Sequence, residues 1–115
     1  MTALTVYGIP NCDTVKKART WLADQGIDFR FHDLRKDGLD RATVETWLEY
    51  VPADKLLNRR GTTWRKLPEA EQARADSDLA GLLVDHPSLI KRPVIVGGAS
   101  ILVGFTPAER EALKG

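Results

Sequence analysis

The sequence predicts an α/β fold with a four-stranded mixed sheet, and three observations carry the prediction. A short β-branched run, a helical repeat and an alternating run follow one another at the N-terminus, with short joins. Two further β-branched runs and a capped helix close the chain. Between these halves lies a stretch with helical periodicity and no strand pattern. Strand, helix and strand with short joins form a βαβ unit, normally parallel and right-handed. The closing half reads ββα.

Each element has its own signal. Residues 3–7 are apolar and β-branched, a buried strand stopped by Gly8 and Pro10. From Asp13, Val15, Ala18 and Leu22 recur at helical spacing, with Lys16, Lys17 and Arg19 on the other side. Gly26 fits the position just past a helix C-terminus. Ile27, Phe29 and Phe31 then alternate with Asp28, Arg30 and His32, a period-two strand. Asp40 is an N-cap candidate, flanked by Leu39 and Val44 at the positions of a hydrophobic staple. Val44, Trp47, Leu48 and Val51 form an apolar stripe that Pro52 ends. A helix is expected over residues 78–85, with Leu79, Leu82 and Leu83 inward and Pro87 beyond its end. Residues 93–96 and 101–103 read as two strands joined at Gly97-Gly98-Ala99-Ser100. Thr106-Pro107-Ala108-Glu109 is a capping box with proline at the first helical position. A βαβ half joined to a ββα half is the layout of a thioredoxin-like domain. Here it is expected as one domain over residues 1–115, with a helical insertion at roughly residues 36–89.

Composition narrows the function classes. The chain has 115 residues, with 17 basic against 16 acidic and a net charge of +1. That balance argues against a disordered chain and against a nucleic-acid protein acting through bulk charge. No run approaches the ~20 apolar residues of a membrane span, and the N-terminus lacks a signal-peptide pattern. A cytoplasmic protein is the expectation. The single cysteine, Cys12, excludes a disulfide framework within the chain and a cysteine-cluster zinc site. The two separated histidines, His32 and His86, add no metal pattern, and neither a metal nor a bound cofactor is expected.

Cys12 is the sharpest feature. It sits in the turn between a strand and a helix, where the helix presents unpaired N–H groups and the positive end of its dipole. Such an environment favours thiolate, the nucleophilic form. Asp13 opposes this, and Lys16 one turn on assists it. The competing reading is a small buried hydrophobe. Val15 stands where the second cysteine of a Cys-x-x-Cys pair would be, so an oxidised Cys12 needs an external thiol. Arg92-Pro93 is the second feature. Proline at a strand start is allowed, and in this layout the bond ahead of it is often cis and faces the cysteine. Arg92 then has bidentate donors for an oxyanion or a glutathione carboxylate. The third is the basic segment holding Arg59, Arg60, Trp64, Arg65 and Lys66. It reads as an anion-binding wall, as an RNA site with Trp64 stacking, or as a solvated basic turn.

The stretch Tyr7-Gly8-Ile9-Pro10-Asn11-Cys12-Asp13-Thr14-Val15-Lys16-Lys17-Ala18 resembles the N-terminal motif of the arsenate reductase (ArsC)/Spx family. Leu56-Leu57-Asn58-Arg59-Arg60-Gly61-Thr62-Thr63-Trp64-Arg65-Lys66-Leu67, and Asp85-His86-Pro87 followed by Leu89-Ile90-Lys91-Arg92-Pro93, resemble its YffB-like branch. The resemblance implies a thioredoxin-like fold, Cys12 as redox nucleophile, Arg92 as an active-site arginine and a cis Pro93. With it, Asn11, Arg59, Arg60 and Pro93 are expected to line the substrate site. In arsenate reductases the cysteine attacks arsenate, and glutathione with glutaredoxin completes the cycle. Two cationic positions of that pattern differ: Asn58 stands at one and Gly104 at the other. Each charge-assisted bond contributes on the order of 1.5–3 kcal/mol, so dianion binding is expected to weaken. The expected function is a glutathione-dependent thiol/disulfide reductase with one nucleophilic cysteine. The alternatives are a glutathione/glutaredoxin-dependent arsenate reductase and a non-enzymatic Spx-like regulator binding RNA polymerase.

Overall fold

The computed structural model describes residues 4–97 and 100–114. Gly98 and Ala99, in the expected hairpin turn, lie outside the described residues. The chain forms two compact units, one running to Gly38 and resuming at Arg92, the other Leu39–Lys91.

The first unit holds strands β1 (Leu4–Gly8), β2 (Phe29–Asp33), β3 (Val94–Gly97) and β4 (Ser100–Val103), with helices α1 (Asp13–Asp24) and α7 (Pro107–Lys114). The sheet order is β2-β1-β3-β4. β1 and β2 are parallel, with Val6 opposite Phe31 and Tyr7 opposite His32. β1 and β3 are antiparallel, with Tyr7 opposite Val94, and β3 and β4 are antiparallel. This is the four-stranded mixed sheet of a thioredoxin-like fold. Strand alternation sends Leu4, Val6, Phe29, Phe31, Ile95 and Leu102 to one face, where they pack with Trp21 and Leu22 of α1 and Leu113 of α7. The inward residues expected on α1, Val15, Ala18 and Leu22, are all fully buried. Gly26, at φ +71°, closes the helix. Its N–H donates to Ala23 O at 3.1 Å and the Ile27 N–H to Leu22 O at 3.0 Å, a Schellman ending. At α7, Glu109 Oε1 accepts from the Thr106 N–H at 2.7 Å, the reach-back half of a capping box, and also from Thr106 Oγ1 at 2.5 Å.

The second unit holds α2 (Arg41–Tyr50), α3 (Ala53–Leu56), α4 (Thr62–Lys66), α5 (Glu69–Ser77) and α6 (Leu79–Asp85), then a 3-10 turn at Pro87–Leu89. Asp40 caps α2 by accepting from the Thr43 N–H at 2.9 Å. Val44, Trp47 and Val51 are buried, while Leu48 is half-buried. α5 has no counterpart in the sequence expectations. None of its residues is buried, so it carries no apolar stripe, and charge pairs hold it instead. Arg74 Nη1 lies 3.0 Å from Glu71 and 2.9 Å from Asp85, and Arg41 pairs with Asp78. His86 Nε2 is 3.2 Å from Glu71.

Arg74 beside Glu71 holds that carboxyl below its ordinary range, and Arg41 does the same for Asp78. A carboxyl whose folded-state pKa is depressed stabilises the fold above its unfolded pKa, and that contribution is lost as pH falls. Melting temperature is therefore expected to drop as pH is lowered below about 4. Arg74→Met should flatten that dependence, and a scan by circular dichroism from neutral to acid pH measures both slopes. Equal slopes for the two proteins would remove the network from the acid response. Among the described residues no helix is long and apolar enough to cross a membrane.

Candidate active site

Cys12 is the N-cap residue of α1, with extended backbone at φ −93° and ψ 124°. Its N–H donates to Ile9 O at 3.2 Å and its carbonyl accepts from the Lys16 N–H at 3.0 Å. The thiol is free and half-buried, and no side-chain capping bond engages the sulfur. The first-turn amides of Asp13, Thr14 and Val15 have no partner one turn back. They make this end of the helix a place for negative charge. Asn11 is exposed beside it, as are Asp13 and Lys16.

Gly8 sets the distance between the strand and this helix. A Cβ at Gly8 would lie 2.7 Å from Val15 Cγ2, and Val15 is fully buried. A β-branched side chain has few rotamers with which to give way. Gly8→Ala is therefore expected to displace the first turn of α1 that carries Cys12. Overpacking of this kind costs about 1–3 kcal/mol. The check is alkylation of Cys12 by iodoacetamide in the folded protein, together with the melting temperature. A variant unchanged in both would show that the strand–helix contact does not position the cysteine.

The Arg92–Pro93 peptide bond is cis. Because Tyr7 opposes Val94 across the antiparallel pair, Pro93 falls at the end of the sheet where β1 runs into the Cys12 loop. Topology thus brings Cys12, Asn11, Arg92 and Pro93 to one end of one unit. Pro93 is buried and Arg92 half-buried, with its Nε shielded from solvent. Pro93 O accepts from the Gly104 N–H at 2.8 Å. Gly104 has φ +89°, in the left-handed region that favours glycine. A side chain there would add roughly 1–3 kcal/mol of backbone strain.

Arg59 and Arg60 belong to the second unit. Asn58 Oδ1 accepts from the Arg60 N–H at 3.1 Å, so Asn58 shapes the turn. The Arg59 guanidinium lies over the Trp64 ring, 5.0 Å from its centroid, and 3.9 Å from Asp54. Trp64 is half-buried and Arg60 exposed. His32 is held by a 2.6 Å contact from Nε2 to Gly38 O and by Tyr7, whose ring centroid is 4.8 Å away. With Thr5, Arg30 and Asp37 they line a surface cleft of about 370 Å³. Sequence reasoning did not single out that cleft. Its signal is the polar half of the β1 and β2 alternation. Among the described residues no group of His, Cys, Asp and Glu is placed to hold a metal ion.

A thioredoxin-like sheet here carries a free cysteine at a helix N-cap and a cis proline at the same end. Residues 7–113 match the model of the ArsC family, and the chain belongs to that family. It is 51% identical to an arsenate reductase (ArsC) related protein of Brucella melitensis, whose solved structure matches with a TM-score of 0.74 over 96% of this chain and 92% of that one. The structure of a protein named YFFB (PA3664) is 42% identical, with a TM-score of 0.88 over 96% and 97%. A Haemophilus influenzae protein described as uncharacterized is 46% identical over 110 residues, 95% of this chain and 96% of its own. Relatives named global transcriptional regulator Spx include one from Streptococcus pyogenes, 28% identical over 111 residues, 95% of this chain and 83% of its own. Family and fold support a thiol oxidoreductase.

Proposed function

We propose that the chain is a glutathione-dependent disulfide reductase that works with one thiol. The observation that carries this reading is a lone, half-buried cysteine at a helix N-cap, in a chain with no second thiol. The Cys12 thiolate attacks the glutathione sulfur of a mixed disulfide substrate. A Cys12–glutathione disulfide forms, and the substrate leaves as thiolate and takes up a proton. A second glutathione thiolate then attacks the glutathione sulfur on Cys12. Glutathione disulfide leaves and the Cys12 thiolate returns. One free glutathione is consumed per turnover: the substrate sulfur is reduced to a thiol, and the incoming glutathione sulfur is oxidised into the disulfide it forms with the glutathione the substrate carried. Arg92 binds a glutathione carboxylate through its planar pair of donors.

The test is intact-mass measurement after exposure to glutathione disulfide, followed by turnover of a glutathionylated peptide coupled to glutathione reductase. One glutathione per chain, removed by excess glutathione, is the expected result. No adduct and no turnover would sink the proposal. Two other readings draw on named relatives. Arsenate reduction is supported by the ArsC-related relative. It is checked by arsenate-dependent NADPH oxidation with glutathione and glutaredoxin, and no effect at millimolar arsenate removes it. A regulator binding RNA polymerase is supported by the relatives named Spx. It is checked by co-purification of the polymerase from extract, and loses support if none is recovered.

A further inference from the structure

We propose that residues 51–67, with Tyr50, form a docking surface for an acidic polypeptide segment. Charge is strongly segregated here. The whole chain carries +1, yet Lys55, Arg59, Arg60, Arg65 and Lys66 fall in this stretch with Asp54 as its one acid. The rest of the chain is therefore net acidic. All five cations are exposed.

The stretch is ordered, unlike a solvated basic turn. Leu57 forms a β-bridge with Ile90. The Asn58 N–H donates to Leu89 O at 2.7 Å, and the Lys91 N–H donates to Leu56 O at 2.8 Å. Lys91 Nζ donates to Asp54 O at 3.2 Å. Asn58 then fixes the backbone at Arg60, and the Trp64 ring holds Arg59 in place. Ordering before association lowers its entropic cost. A single-sign patch steers an oppositely charged partner and raises its on-rate.

The aromatic groups favour a polypeptide over a nucleic acid. Tyr50, 65% exposed, is the large hydrophobic side chain left in solvent among the described residues. Tyr50 adjoins this stretch in sequence, and tyrosine with arginine is the composition of protein-interface anchors. Single-stranded nucleic acid sites instead offer successive open rings for base stacking. Here the Trp64 ring is half-buried and faced by Arg59.

The inference does not depend on the reading of Cys12, and its test avoids Arg59 and Arg60. The full-length protein is titrated, with fluorescence anisotropy as readout, against a labelled peptide of alternating Asp and Glu containing one Phe. A labelled thymidine oligonucleotide of equal charge is titrated in parallel. The peptide is expected to bind saturably at low salt and more weakly as salt rises. Arg65→Glu with Lys66→Glu should weaken it about tenfold or more, which is about 1.4 kcal/mol. Tyr50→Ser should weaken it at constant salt dependence. If the charge reversal unfolds α4, Arg65→Gln with Lys66→Gln is expected to give a smaller loss in the same direction. Absence of saturable peptide binding, equal affinity for the wild type and the charge variants, or tighter binding of the oligonucleotide would each overturn the proposal.

Discussion

Cys12→Ser is expected to remove glutathione-dependent disulfide reduction down to the background of free thiol exchange, a loss on the order of 10³-fold or more. The chain contains no other thiol, so no neighbour can take over. A serine hydroxyl at the same N-cap meets the same amides, yet it cannot form a disulfide with glutathione. Ser is also among the preferred N-cap residues, so the variant is expected to fold at least as stably as the parent. Loss of turnover with an unchanged melting temperature then isolates the chemistry from the fold. Turnover in the variant equal to that of the parent would remove Cys12 from the reaction.

Leu22→Ala is expected to give the largest loss of stability among the changes considered. Leu22 is fully buried and packs with Val6 and Ile95 where α1 meets the sheet. Its carbonyl also accepts the Ile27 N–H that closes the helix. The backbone bond survives the substitution, so the cost is lost transfer energy plus a cavity. Leu→Ala changes of this kind cost about 2–5 kcal/mol, against a total stability of about 5–15 kcal/mol for a typical domain. The urea midpoint is expected to fall by roughly 1–3 M with an unchanged slope. Cys12 lies at the opposite end of α1, so alkylation by iodoacetamide should be little changed while the protein remains folded. A midpoint equal to that of the parent would mean that the core collapses around the alanine without penalty.

Most of the first unit was legible because its signals are local. Val15, Ala18 and Leu22 repeat at helical spacing, and all three are buried. Gly26 marked the end of α1, and Asp40 the start of α2. Of the capping box read at Thr106 and Glu109, the bond from the Thr106 N–H to the Glu109 carboxylate is present. Leu82 and Leu83 are buried on α6 as expected, with Leu79 half-buried. What failed was α5. Its sequence, Glu-Ala-Glu-Gln-Ala-Arg-Ala-Asp-Ser, has good helix formers and no apolar face. Periodicity reads only burial, so a helix held by Arg74 and its carboxylates escapes it.

The candidate site divides along the same line. The sequence alone determined that one thiol is available, that it stands between a strand and a helix, and that a proline opens a later strand. Those are properties of neighbouring residues and of composition. Only the tertiary structure decided that Pro93 reaches the end of β1, because strand register depends on pairing across some ninety residues of chain. Only the tertiary structure showed the contact that leaves no room for a Cβ at Gly8, and the left-handed backbone at Gly104. Only the structure showed that the Arg59 guanidinium lies against Trp64 and near Asp54. Local pattern dictates which residues are buried and where helices begin. Pairing between distant segments dictates which residues meet at one end of the sheet.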